Sequence, residues 1–190
     1  MILILFPLAV ENPFPVRLSE AVPLRFGKVN LMLTGKGRRG VMNFASEIKK
    51  NHRDISAVVE AGGAAAVNNA RVGGIYNPTD FISPKGRVVG KSRSLPGLKS
   101  AAVTGMASLF RGEAKKELFS STDLPLLYSM ESLSFFALCS KYRLPFYSLR
   151  LVTDEGRGDI KSFYIKQLEK HRSEMRLLLT KAIEEIAESG

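Results

Sequence analysis

Ser129-Met130-Glu131-Ser-Leu-Ser-Phe-Phe-Ala-Leu-Cys-Ser-Lys-Tyr-Arg-Leu-Pro-Phe-Tyr-Ser-Leu-Arg150-Leu-Val-Thr-Asp154 is the stretch on which the reading of this chain turns. An apolar run of helical character leads into a run of strand formers entered through Pro145. Two acids and an arginine fall at the ends of these elements, where an ionised group is costly unless it has a partner or a task. Read locally, Ser129 caps a helix whose buried face runs Leu133, Phe136, Ala137 and Ser140, with Glu131 in its first turn at the positive end of the dipole. Asp154 stands just past the carboxyl end of the following strand, the edge at which open α/β sheets hold ligands.

Working outward, residues 1–6 read as a first buried strand, and residues 12–24, with Pro13, Pro15 and Pro23, as a loop with short extended pieces. Further strands are predicted over 29–34, 55–59, 75–82 and 101–104. Helices are predicted over 41–51, with Val41, Phe44, Ala45 and Ile48 on one face, over 115–119, and as one long C-terminal helix over 160–188. Residues 83–97 read as an exposed loop. Strands alternating with helices describe a mostly parallel α/β sandwich, and 190 residues with 45% hydrophobic content suit a single domain spanning 1–190.

Composition narrows the function. A lone cysteine, Cys139, within an apolar run excludes an internal disulfide framework and a multi-cysteine zinc site, and suits a reducing, cytoplasmic setting. It reads as a small buried hydrophobe. The apolar start lacks a basic leader region and meets Pro7 too soon for a membrane span, so no membrane association is expected. A net charge of +10 invites nucleic acid, but the basic residues are scattered and no aromatic residues interleave them, which favours a soluble basic surface. His52 and His171 sit among charged residues and read as solvated.

Gly35-Lys-Gly-Arg-Arg-Gly40 satisfies the dinucleotide-binding spacing, with Glu60 twenty residues beyond it at the end of a strand. Against that reading, it would be the second strand–helix unit, and two arginines crowd the turn. A plain turn, or an anion site formed by Lys36, Arg38 and Arg39, are the alternatives.

Met130-Glu131 opening a helix, followed by a strand ending in Arg150, three residues and Asp154, resembles the nucleoside phosphorylase and nucleosidase superfamily, and most of all its methylthioadenosine/S-adenosylhomocysteine nucleosidases. The resemblance continues through Pro7-Leu-Ala-Val-Glu11, Thr34-Gly35-Lys36-Gly37, Ala61-Gly62-Gly63-Ala64 and Arg71-Val72-Gly73-Gly74. It implies a three-layer α/β/α sandwich around a central, mostly parallel mixed sheet. It also implies a purine nucleosidase-like hydrolase that cleaves the N-glycosidic bond of an adenine nucleoside or thionucleoside, needs no metal or cofactor, and forms a dimer. In such an enzyme Asp154 serves the purine and Glu11 is the general base for the attacking water. Glu131 binds ribose hydroxyls over Met130, Arg150 orients the carboxylates, and Gly62 and Phe163 complete the substrate site. The family's phosphorylases carry a Gly-Asp-Pro-x-Arg stretch that this chain lacks, which favours hydrolysis over phosphorolysis. Departures mark a shortened, divergent member: Gly62 stands in place of a serine, Ser108 in place of an aromatic residue with Leu109 or Phe110 nearby, and the hairpin after the first strand is trimmed. A phosphorylase, or a relative that binds a nucleoside or dinucleotide without turnover, is the alternative. Each residue also has a plainer reading: Glu131 as a helix-start acid, Asp154 as a turn former before Glu155-Gly156, Glu11 as a loop acid, Arg150 as an ion-pair partner and Met130 as core.

Overall fold

A computed structural model describes residues 1–14, 21–24, 27–105, 122–156 and 159–189. Strand β1 (Ile2–Phe6) lies between parallel neighbours β3 (Gly27–Leu33) and β4 (Ala57–Asn68), and all five of its residues are buried. Its side chains alternate between two cores, as a strand covered on both faces requires. Ile2, Ile4 and Phe6 pack with Leu168, Met175, Leu179 and Ile183 of helices α3 (Ile160–Lys170) and α4 (Arg172–Glu188). Leu3 and Leu5 pack with Phe44 and Ile48 of α1 (Gly37–Asn51) and Phe135 and Cys139 of α2 (Ser132–Lys141). Helices therefore cover both faces of a central sheet, giving the three α/β/α layers.

The remaining strands are β2 (Ala21–Leu24), β5 (Ile75–Ile82), β6 (Val88–Lys91), β7 (Lys99–Thr104), β8 (Leu126–Tyr128) and β9 (Phe146–Asp154). The described strands run β2-β3-β1-β4-β8-β7-β5-β6, with β9 bonded to both β4 and β5. Five pairings are parallel and four antiparallel, so the sheet is mixed. Because β4, β9, β5, β7 and β8 pair in a ring, the middle of the sheet closes into a barrel instead of lying flat. Closure depends on the length of β4. Its first half pairs with β1 and its last residues with β8, across the small-residue run Ala61 to Ala66.

Several local expectations are corrected. β4 continues nine residues past 59, since the glycines and alanines read as a strand end are the part that passes into the barrel and lets other side chains approach. Helix α1 begins at Gly37, within the glycine turn. β6 forms an antiparallel hairpin with β5 inside the segment expected to be a loop. β2 and β3 form a hairpin after the first strand. The long C-terminal helix is two helices, broken at His171, whose ring lies against Gly73 and whose Nδ1 is 2.9 Å from Glu174. His171 is thus partly buried, and so is His52 beside Tyr142. The helix expected over 115–119, and Ser108, Leu109 and Phe110, lie outside the described residues.

Helix α2 is rotated from its predicted face: Ser132, Phe135 and Cys139 are buried, while Ala137 and Ser140 are exposed. A buried polar contact sets the rotation, because the Ser132 hydroxyl donates to Glu60 and accepts from Arg150 in the interior. Phe135 then meets Phe44 edge-on at 5.0 Å. Ser129 does not cap this helix. Glu131 occupies the N-cap position and points its carboxylate elsewhere.

Candidate active site

Glu11 ends a single 3-10 turn, Ala9–Glu11, that follows β1, and its carboxylate is buried. The Leu8 N–H donates to Oε2 at 2.6 Å and the Gly63 N–H to Oε1 at 2.8 Å, and the Tyr164 hydroxyl donates to the same Oε1. Two glycines make this possible. A Cβ on Gly62 would run into the Glu11 carboxylate, and one on Gly63 into the Tyr164 ring. Burial pushes the Glu11 carboxyl above its ordinary range, against the opposing pull of the Tyr164 hydroxyl, the Arg150 charge and the two backbone donors.

Glu131 is also buried, and its Oε1 accepts from the Gly37 N–H at 2.6 Å, which ties the start of α2 to the start of α1. Burial raises this carboxyl too, with the Gly37 bond and Arg150 acting in the opposite direction and Glu60 reinforcing the rise. Asp154 is the last residue of β9, not the one after it. Its two oxygens accept from the Thr153 hydroxyl at 2.8 Å and the Gly156 N–H at 2.7 Å, fixing the carboxyl plane.

Arg150 is fully buried and forms an ion pair with Glu60, with a 2.7 Å bond to Ser132 and a 3.3 Å bond to the Gly63 carbonyl. Burial works against its charge, but Glu60, Glu11 and Glu131 together outweigh it and hold the guanidinium firmly protonated. One cation thus balances an acid that it touches and two that it faces.

A cavity of about 530 Å³ brings Glu11, Met130, Glu131, Arg150, Asp154 and Tyr164 onto one wall system. Six chain segments converge there. Of the residues singled out in the sequence, Gly62 lies behind Glu11 and not on the wall. Phe163 is 52% exposed on α3 and does not line the cavity; the next residue, Tyr164, does. The helix turns one residue further than the sequence match implied, because Tyr164 fills the space that Gly63 leaves open. Glu60 and Ser132 were not picked out as partners of Arg150, although an acid within Val-Val-Glu60-Ala was a visible sign of a buried charge. The dinucleotide reading of Glu60 is overturned: its carboxylate is inaccessible and held by Arg150, Ser132 and Ser148. Among the described residues, no three His, Cys, Asp or Glu side chains are grouped to hold a metal ion.

Tyr164→Phe should move the acidic limb of any Glu11-dependent pH profile to higher pH. The hydroxyl stabilises the ionised carboxylate, so its removal leaves burial less opposed and raises the carboxyl further. A pH–rate series on the two proteins checks this, and an unmoved limb would separate Tyr164 from Glu11.

No protein-family model matches the sequence, and no curated protein matches it. The structure matches solved ones throughout: futalosine hydrolase of Helicobacter pylori, with TM-score 0.75 and 17% identity over 97% of both chains. The 5′-methylthioadenosine/S-adenosylhomocysteine nucleosidase of the same organism, solved with butyl-thio-DADMe-Immucillin-A, matches with TM-score 0.76 and 17% identity over 97% of both chains. The chain has the nucleosidase fold. The 5′-methylthioadenosine nucleosidase of Arabidopsis thaliana agrees, with TM-score 0.75 and 16% identity over 97% of this chain and 95% of its own. These neighbours belong to the nucleoside phosphorylase and nucleosidase superfamily, and the nucleosidase fold accounts for the closed centre of the sheet and for helices on both faces.

Proposed function

We propose that this chain hydrolyses the N-glycosidic bond of an adenine nucleoside or 5′-thionucleoside. The observation that carries the reading is Glu11, a buried carboxylate held by two backbone N–H groups and a tyrosine on a cavity whose wall also presents Met130, Glu131 and Asp154. Cleavage leaves electrons on the departing purine and positive charge on the ribose. Asp154, anchored through both oxygens, directs a proton or hydrogen bond toward purine N7, so that the purine ring can take up the electron pair of the breaking bond. Glu131 binds the ribose hydroxyls and, with Met130 beneath the sugar, favours the oxocarbenium-like centre. Glu11 takes a proton from the water that attacks the anomeric carbon, which is the work of a carboxyl whose pKa has been moved toward neutrality. Arg150 keeps the acids in place through charge.

Water is favoured over phosphate because the cavity's guanidinium is already engaged by Glu60 and a general base stands beside the reaction centre. The proposal includes a cytoplasmic homodimer. Met130 and Ile160, apolar and roughly half exposed on the cavity wall, suit cover by a second copy. Sedimentation at micromolar concentration would give the oligomeric state.

The test is release of free base from methylthioadenosine, S-adenosylhomocysteine, adenosine and inosine, with and without phosphate. Phosphate-independent adenine release is expected. Strict dependence on phosphate would make the protein a phosphorylase, and tight binding without release a non-catalytic nucleoside binder.

A further inference from the structure

Tyr128 ends β8, and the strand pairing sets it opposite Asp154. Ala65 of β4 pairs with Tyr128 on one side and with Asp154 of β9 on the other, so Tyr128, Ala65 and Asp154 form one row across three strands. All three line the cavity. Residues paired in register share a face of the sheet, so the row presents a phenol ring, a methyl group and a carboxyl side by side. Ala65 keeps the middle of the row low, and a slot stands between the other two.

The width of the slot follows from strand spacing. Two steps of about 4.8 Å put Tyr128 and Asp154 roughly 10 Å apart at the backbone. A hydrogen bond of about 2.8 Å on the Asp154 side and a contact of about 3.7 Å at the Tyr128 ring leave roughly 3–4 Å between them, the breadth of one six-membered ring without a substituent. The Tyr128 wall is firm, because β8 is bonded along both edges and Tyr128 pairs with Thr104 of β7 as well as with Ala65. Burial and the charge of Glu131 both push its hydroxyl up, so the ring beside the slot stays uncharged.

A hydrogen bond to purine N7 lies in the plane of the base. The base therefore extends from Asp154 across Ala65 toward Tyr128, and the edge opposite N7 is the one that carries C2. We infer that Tyr128 determines base specificity: its ring abuts C2, so the cavity takes purines that bear only hydrogen there, adenine or hypoxanthine, and rejects guanine, whose 2-amino group needs the space that the ring fills. The inference rests on the hydrolase reading, which puts purine N7 at Asp154.

The experiment compares 5′-methylthioadenosine with its 2-amino derivative. The readouts are kcat/KM for base release in the natural protein and in Tyr128→Phe, Tyr128→Val and Tyr128→Ala variants, calorimetric Kd in each of these combined with Asp154→Asn, and thermal unfolding of all of them. The unsubstituted nucleoside is expected to be preferred by about tenfold to a hundredfold, the range for forcing one extra group against a packed wall. That ratio should persist in Tyr128→Phe, which keeps the ring, and fall to about one in Tyr128→Val and Tyr128→Ala. Tyr128→Val retains a strand-forming side chain and decides the matter where Tyr128→Ala does not fold. Equal use of the two nucleosides by the natural protein, or a preference that survives in folded Tyr128→Val, would overturn the inference and leave the hydrolase reading standing. A preference in Kd that Tyr128→Val abolishes, without base release from either nucleoside, would do the reverse. Neither binding nor release of the two would remove both.

Discussion

Asp154→Asn should lower adenine release by roughly a hundred- to ten-thousand-fold in kcat, the range for loss of a general acid or base, while leaving the protein folded. The fold should survive because the contacts of this side chain are local: Gly156 N–H can still donate to the remaining amide oxygen, and the Thr153 hydroxyl, which also bonds the Ala64 carbonyl, can accept from the new amide nitrogen. What is lost is the ability to give up a proton toward the purine. Turnover by single-turnover base release, with thermal unfolding alongside, checks both halves. Undiminished turnover in a folded variant would remove Asp154 from the mechanism. Glu11→Gln is a less clean probe. Its amide nitrogen must face either Leu8 N–H or Gly63 N–H, so one backbone donor loses its acceptor inside the protein, at a cost of about 1–3 kcal/mol.

Arg150→Met should produce the largest loss of stability, about 3–5 kcal/mol in urea unfolding, because it leaves Glu60 as an uncompensated charge in the interior and removes the cation facing Glu11 and Glu131. Against a total stability of roughly 5–15 kcal/mol, that is enough to reduce the amount of folded protein visibly. Adding Glu60→Leu to Arg150→Met should recover much of the loss, since two apolar side chains replace an ion pair whose desolvation offsets most of its attraction. The double variant should still be inactive. Without the guanidinium, Glu11 and Glu131 rise further in pKa and stay protonated over more of the working range. A loss below about 1 kcal/mol for Arg150→Met would mean that the interior pair contributes no more than a surface one.

The charge balance of the cavity and the stability of the fold thus meet in one group of side chains. Arg150 and Glu60 lie inside the protein on adjacent strands, paired Val59 to Tyr147 and Gly62 to Arg150, and the acids of the cavity take their charge balance from that pair.

How much of this was legible can be followed residue by residue. Met130, Glu131, Arg150 and Asp154 were readable because their order and spacing are local: a helix start, one helix, one strand and a strand end, with no insertion between them. Glu11 was readable through its place after an apolar strand. Tyr164 was missed in favour of Phe163, since the rotation of α3 is set by the room at Gly63, about a hundred residues earlier in the chain. The face of α2 was misplaced for a similar reason. Apolar periodicity pointed to Leu133, Phe136 and Ala137, while the rotation answers to a polar contact from Ser132 to Glu60 and Arg150.

The sequence by itself determined the α/β class, the alternating buried strands such as Ile2 to Phe6, and the three carboxylates and one arginine of the site, because strand burial and helix starts are encoded in near neighbours. Tertiary structure alone decided the closure of the sheet, the pairing of Arg150 with Glu60 and the tyrosine cap on Glu11. Each of these is a contact between residues distant in sequence, selected by the available space and by the requirement that no buried charge be left without a partner.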